Sequence, residues 1–291
     1  MTTSAMSTPE AYAPTEGIYL TRDGLRLHYL EWGNPMAVPI LLVHGQRAYA
    51  HAWDPVAQEL RNDFRLIALD LPGRGDSDWD PGKRYFISSY CMDMEDLVQH
   101  LKLKQLGVMG HDVGGAAALL FAARFPALVK AAVIVDAGPA TEPPTPGQMR
   151  VASELMMTPP VFRSWDDASE FLRDQRPSAS VESMNIRIRN SLKQQDDGSV
   201  VWRYDVAGLQ EARNNPAARI DLWPYIRSIQ CPTLIVRGAR SDYLLPDIAR
   251  RTADSMRTAR VCEIANAGHS VWDDNLPGFT REVRAFLARL L

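Results

Sequence analysis

From residue 17 onward, short apolar runs alternate with stretches of helical period. Ile18–Thr21 and Leu25–Trp32 flank Asp23-Gly24, a turn pair that tolerates positive φ, and predict a hairpin. Pro39–Val43, Phe64–Asp70, Leu106–Gly110, Ala131–Asp136, Thr233–Arg237 and Arg260–Ala265 follow. Most of these later runs are continuously apolar, as strands buried on both faces of a parallel sheet must be. Between and after them, Trp53–Arg61, Ser88–Leu103, Gly115–Phe125, Asp247–Arg257 and Gly278–Leu291 carry helical patterns. The alternation predicts an α/β fold, a doubly wound sheet preceded by an antiparallel hairpin.

The alternation stops near Pro139, where four prolines fall between Pro139 and Pro146. Helical patterns without a clear buried strand continue until Cys231. This segment predicts an inserted helical cap over residues 139–225, a lid on a pocket at the carboxyl ends of the strands. The core is then 16–138 plus 226–291. Residues 1–15, rich in Thr, Ser, Ala and Pro, have no basic or apolar leader pattern and predict a flexible tail.

The 291 residues are 46% hydrophobic and 23% charged, enough apolar material to bury a sizeable core. A net charge of −3 leaves no footprint for nucleic acid and no polybasic membrane patch. Runs such as Ile40–Val43 fall far short of the roughly 20 apolar residues of a spanning helix. Cys91, Cys231 and Cys262 are three, widely spaced and without CxxC, which predicts neither a disulfide framework nor a zinc site, and a cytoplasmic location. No His/Asp/Glu cluster has metal-ligand spacing, so neither a metal nor a cofactor is expected.

The chemistry concentrates in Val108-Met109-Gly110-His111-Asp112-Val113-Gly114-Gly115. A buried strand precedes it and Ala-rich helical text follows, the context of a sharp strand–turn–helix elbow. The central residue of such a turn is strained, so its flanks must be small, as Gly110 and Gly114 are. Asp112 then stands at the helix N-terminus, facing the pocket. The same aspartate could instead be an ordinary helix cap, a role Asp fills well.

With these residues in place, the chain resembles the α/β-hydrolase family from Gly17 to Leu291. His44-Gly45 after the third strand and Asp70-Leu71-Pro72-Gly73-Arg74-Gly75-Asp76-Ser77 after the fourth match its motifs. The elbow, Arg240-Ser241-Asp242 and Ala267-Gly268-His269 complete them in order. Most members place Ser at the centre of the elbow; Asp112 there resembles epoxide hydrolases and dehalogenases, which attack an sp³ carbon with a carboxylate. The residue suits that chemistry, because a carboxylate is ionised at neutral pH without help from a base.

The resemblance implies further roles. His269 would activate water to hydrolyse the ester formed on Asp112. Asp242 is the first choice for the acid that orients His269, and Asp136, after the sixth strand, is the alternative. The backbone N–H groups of Gln46 and Val113 would form the oxyanion hole. The chain reads His44-Gly45-Gln46-Arg47, without the proline usual in Asp-type members, and has Val113 where haloalkane-type members carry Trp. Donors to a leaving group would therefore come from the cap, with Trp165, Trp202 and Tyr204 as candidates. His44 and Arg74 read as scaffold, Arg74 pairing a nearby carboxylate.

The expected function is a cofactor-free hydrolase acting on an epoxide or haloorganic molecule. The partner is then a small apolar organic substrate, with no nucleic acid or membrane; a homodimer stays open. Two alternatives also stay open: an ester, lactone or C–C bond hydrolase with Asp at the elbow, and a ligand-binding pseudoenzyme.

Overall fold

The computed structural model describes residues 13–175 and 181–289. Most of the expected tail lies outside the described residues; its end, Thr15, already belongs to a strand. The core strands are β1 (Thr15–Leu20), β2 (Arg26–Trp32), β3 (Pro39–Val43), β4 (Arg65–Leu69), β5 (Leu106–His111) and β6 (Val129–Val135). Their helices are α1 (Asp54–Leu60), α2 (Ile87–His100) and α3 (Val113–Arg124). Past β6 come α4 (Pro146–Met157), β7 (Val161–Phe162), α5 (Trp165–Gln175), α6 (Val181–Ser191), β8 (Leu192–Gln194), β9 (Val200–Trp202) and α7 (Val206–Asn214). The chain then closes with α8 (Trp223–Ser228), β10 (Thr233–Gly238), α9 (Pro246–Asp254), β11 (Ala259–Ile264) and α10 (Val271–Leu287).

The large sheet has the order β1-β2-β4-β3-β5-β6-β10-β11. Only β1–β2 and β2–β4 pair antiparallel; the rest is parallel. The apolar runs of its inner strands are continuous because those strands feed two cores. Leu41 and Val43 of β3 pack on the side of α2 and α3, whereas Ile40 and Leu42 pack on the side of α1 and α10. A strand buried on both faces carries no polar alternation. Among the described residues no helix is long and apolar enough to cross a membrane.

Between β6 and α8 the chain leaves the large sheet. This stretch holds helices, as expected, and also a three-stranded antiparallel sheet of order β7-β9-β8. These strands are two to three residues long, too short to show a period of two. A capping box between Thr145 and Gln148 starts α4. The far end of the stretch is pinned by Asp205, which is 2% exposed. Its carboxylate accepts from Gly208 N–H at 2.8 Å, Lys83 Nζ at 2.6 Å and Tyr85 O–H at 2.8 Å. α10 begins at Val271, earlier than the helical pattern indicated, and kinks at Asn275 just before Pro277.

Candidate active site

Five loops at the carboxyl ends of β3, β5, β6, β10 and β11 converge on Asp112, where open parallel sheets place their ligands. Asp112 ends β5 with φ 54° and ψ −123°, a strained conformation for a residue with a side chain. The glycines around it are steric necessities. A Cβ on Gly110 would lie 2.2 Å from Gly114 O, and one on Gly114 would lie 2.3 Å from Val43 O. Although Asp112 occupies the cap position of α3, its side chain accepts no hydrogen bond from that helix. The carboxylate instead turns to neighbouring loops, which sets aside the simple helix-cap role.

Its two oxygens have separate donors. Gln46 N–H donates to Oδ2 at 2.9 Å, and Tyr243 O–H donates to Oδ1 at 2.6 Å. Asp112 is 6% exposed. Burial alone would raise its carboxyl. The nearby His269 and His111 imidazoles, the Gln46 N–H and the Tyr243 hydroxyl outweigh burial and hold it below the ordinary carboxylate value. The group is therefore an anion at neutral pH.

His269 lies beside it in the loop after β11. Its Nδ1 is 2.8 Å from Asp136 Oδ2, and its ring stacks on that of Tyr243 with centroids 4.2 Å apart. His111 Nε2–H donates to His269 O at 2.9 Å, and the two imidazoles lie 4.6 Å apart, so His111 fixes the loop that carries His269. Asp136 is fully buried at the end of β6, also at positive φ. It accepts from Ser241 O–H at 2.5 Å and from Gly238 N–H at 3.2 Å.

The structure corrects the first choice of orienting acid. Asp242 does not reach His269; it pairs Arg150 of α4 at 2.8 Å, with its side chain 43% exposed. In the loop after β10 it is Ser241 that turns inward to Asp136, so Asp242 next to it faces α4. The carboxylate at His269 is the alternative, Asp136.

Of the two positions expected as oxyanion donors, one touches the carboxylate and the other directly follows it in the chain. Gln46 N–H is on Asp112, and Val113 opens α3 immediately after it. Arg74 holds the Gln46 peptide in place: its Nε donates to Gln46 O at 3.1 Å and its NH1 to Pro72 O at 2.7 Å. Buried between the rings of Tyr85 and Tyr90, Arg74 binds carbonyls and not the carboxylate expected of it. His44 Nε2 accepts from Leu71 N–H at 3.1 Å, so its protonated Nδ1 donates to Gly45 O at 2.7 Å. Burial pushes this imidazole down to about 4, leaving it neutral scaffold.

Of the three aromatic candidates, Trp202 and Tyr204 pack against each other between β6 and α8. Trp202 Nε1–H donates to Pro159 O at 2.7 Å, and its ring meets Phe162, Phe171 and Tyr204. Trp202 and Tyr204 line a groove of about 560 Å³ with Trp79, Val161 and Lys193, and none of Gln46, Asp112 or His269 borders it. Trp165 starts α5, partly buried against the core. The aromatic residue at the carboxylate is Tyr243, which the sequence reading missed. Its neighbour in sequence drew attention as a triad acid, and nothing in the pattern marks Tyr243 apart from its place after a strand.

One potential metal-ligating group appears among the described residues: His28, Asp70 and Asp76. Chain spacing hides it, because the three come together only through β2 and the loop after β4. Asp70 already accepts from Ala50 N–H at 2.6 Å and Asp76 N–H at 3.2 Å and lies 2.8 Å from His28 Nδ1. Its oxygens are committed to holding that loop.

A family model described as alpha/beta hydrolase fold matches residues 38–276. Among curated relatives, a 3-hydroxybutyrate-oligomer hydrolase of Cupriavidus necator is 28% identical over 262 residues, covering 84% of this chain and 87% of that protein. An esterase of Mycobacterium tuberculosis is 28% identical over 264 residues, covering 89% of this chain and 85% of its own length. The crystal structure of E-2-(acetamidomethylene)succinate hydrolase superposes with a TM-score of 0.84 at 21% identity, covering 94% of this chain and 99% of that one.

Proposed function

The chain belongs to the α/β-hydrolase fold family and is a hydrolase, and from that premise we propose that the Asp112 carboxylate is its nucleophile toward an sp³ carbon of a small apolar epoxide or haloorganic substrate. One observation carries this reading: Asp112 is a buried anion with Oδ2 on a backbone N–H of the oxyanion loop, beside an imidazole that has its own carboxylate partner. Oδ2 is thus already seated where negative charge develops in ester hydrolysis, which leaves Oδ1 to attack. Attack displaces the leaving group and gives an alkyl ester on Asp112. His269, oriented by Asp136, then takes a proton from water, and the hydroxide attacks the ester carbonyl. The tetrahedral intermediate collapses to release the alcohol and restore the carboxylate. The reaction needs no cofactor. We place it in the cytoplasm, where Cys91, Cys231 and Cys262, all free, stay reduced.

The names of the relatives favour a second reading, hydrolysis of an ester. Attack by Asp112 on an acyl carbon would give an anhydride, so in that reading the carboxylate would act as a base on water. A single turnover in heavy-oxygen water separates the two. Label incorporated into the Asp112 carboxylate supports the alkyl ester. Turnover of chromogenic esters with no label at Asp112 supports the base and sinks the first reading.

A further inference from the structure

Building on the reading that Asp112 is alkylated, we propose that Tyr243 is the acid that protonates the departing oxygen, which makes the substrate class an epoxide and not a haloorganic compound. The donor pattern at the nucleophile leads there. Oδ2 is held by Gln46 N–H, so Oδ1 attacks, and Oδ1 is the oxygen that carries the Tyr243 hydroxyl at 2.6 Å. When Oδ1 bonds to carbon it becomes the bridging oxygen of a neutral ester, a poor acceptor. The phenol must then redirect its proton to a new acceptor within reach. In ring opening, that acceptor is the alkoxide forming on the adjacent carbon of the same molecule.

A halide leaves without a proton and is instead solvated by N–H donors. The indole donors whose bonds are described are committed elsewhere: Trp202 Nε1–H to Pro159 O at 2.7 Å and Trp272 Nε1–H to Ala52 O at 3.1 Å. The residue after the nucleophile is Val113. Tyr204 lies buried in the cap beside Trp202, its ring centroid 4.9 Å away. Tyr243 belongs to the core loop after β10, so its aim at Oδ1 does not depend on the cap.

The local charge changes in the direction that proton transfer requires. At rest, burial and then the Asp112 charge hold the Tyr243 phenol well above its ordinary value, so it stays protonated. Alkylation neutralises Asp112, removes that charge and makes the phenol a stronger acid as the alkoxide appears. The balance closes. The Oδ1 pair forms the new C–O bond, and the ring C–O bond breaks with its pair going to oxygen. That oxygen takes the Tyr243 proton. The phenolate left behind stacks on His269, 4.2 Å between centroids. His269 next takes a proton from the attacking water, and that proton returns through solvent to Tyr243. Epoxide and water have become a diol.

The test is rapid-quench mass spectrometry of the Asp112 peptide in the full chain. Wild type and Tyr243→Phe are each mixed with a terminal aryl epoxide or the corresponding primary alkyl bromide. The substitution is expected to lower the epoxide rate, relative to the bromide rate, by about 100-fold or more, the scale of a lost general acid. Wild-type alkylation by the epoxide, and not by the bromide, should also slow in heavy water, a readout independent of how the variant folds. Equal losses toward both probes, or no heavy-water effect on the epoxide, overturn the proton-donor role. A wild-type adduct with the bromide alone overturns the substrate class. An adduct with neither probe overturns the underlying assignment of Asp112 as the nucleophile.

Discussion

His269 Nδ1 lies 2.8 Å from Asp136 Oδ2 although 133 residues separate them. Asp136 is fully buried, and its carboxylate is braced by Ser241 and Gly238. Asp242, one residue beyond Ser241, faces Arg150 and solvent. If Asp136 orients the imidazole, Asp136→Asn presents the wrong hydrogen-bond polarity to Nδ1 and should lower kcat by about 10³–10⁴-fold, the cost of such a change in other triads. Asp242→Asn removes one exposed ion pair, worth about 1 kcal/mol or less, and should leave kcat within about threefold. Steady-state kinetics of the two variants decide between the acids; the opposite ranking would restore Asp242.

His269→Gln separates the two halves of the reaction. Alkylation needs the carboxylate, held ionised below its usual range, and the Tyr243 phenol, held protonated, but not the imidazole. Ester hydrolysis needs the imidazole. The variant should form about one adduct per chain and then stop, read as a stable mass increase on the Asp112 peptide. Because a depressed carboxyl keeps its charge down to acid pH, the rate of adduct formation should be flat between about pH 5 and pH 8. A steep rise across that window would mean that another group must ionise before attack.

The strand runs were legible because strands buried on both faces are apolar without interruption, and the elbow because close backbone contacts forbid side chains at Gly110 and Gly114. Gln46 and His269 lie beside Asp112 and Asp136 as their place after a strand led one to expect, because position after a strand fixes a backbone location. Which aspartate meets His269 was not legible: Asp136 and Asp242 both follow strands, and only the inward turn of Ser241 tells them apart. Tyr243 was missed, and Arg74, read as scaffold, was given the wrong partner, for a related reason. Each acts through an atom pair across the sheet edge, Tyr243 O–H to Asp112 and Arg74 Nε to Gln46 O, and spacing along the chain does not encode those pairs. The strands β7 to β9 were too short to leave a period.

Asp93 gives a prediction about stability. It lies in α2, 8% exposed, with Oδ2 lacking a hydrogen-bond partner. Burial first, and then the charge of Asp96, push its carboxyl up to about 8. The folded value lies above the unfolded value of about 3.9, so the unfolded chain gives up this proton first. The native state therefore suffers no penalty from Asp93 below about pH 4, and loses stability progressively as pH rises from there toward 8. Asp93→Asn should stabilise the protein at pH 8 by roughly 2–4 kcal/mol, and by much less at pH 5. Urea denaturation at the two pH values measures the difference; the same gain at both would remove titration as the cause.

Four charges tie the two loops that touch Asp112 to α4. Arg47, next to Gln46, pairs Glu154; Glu154 pairs Arg150 at 3.0 Å; and Arg150 pairs Asp242, next to Tyr243, at 2.8 Å. Arg150 and Asp242 are nearly half exposed, and Arg47 and Glu154 keep some contact with solvent, so each link contributes little to global stability. Their effect should instead appear in how often α4 lifts from the loops that carry Gln46 and Tyr243. Glu154→Gln keeps the side-chain volume and removes the charge that both arginines share. It should change unfolding free energy by less than about 1 kcal/mol, yet speed amide hydrogen exchange in α4 and in residues 45–48. Raised salt should speed the same amides in the wild type and much less in the variant, because screening then has fewer charges to act on. If exchange in these segments is the same in both proteins, apolar packing and not this charge chain holds α4 against the two loops.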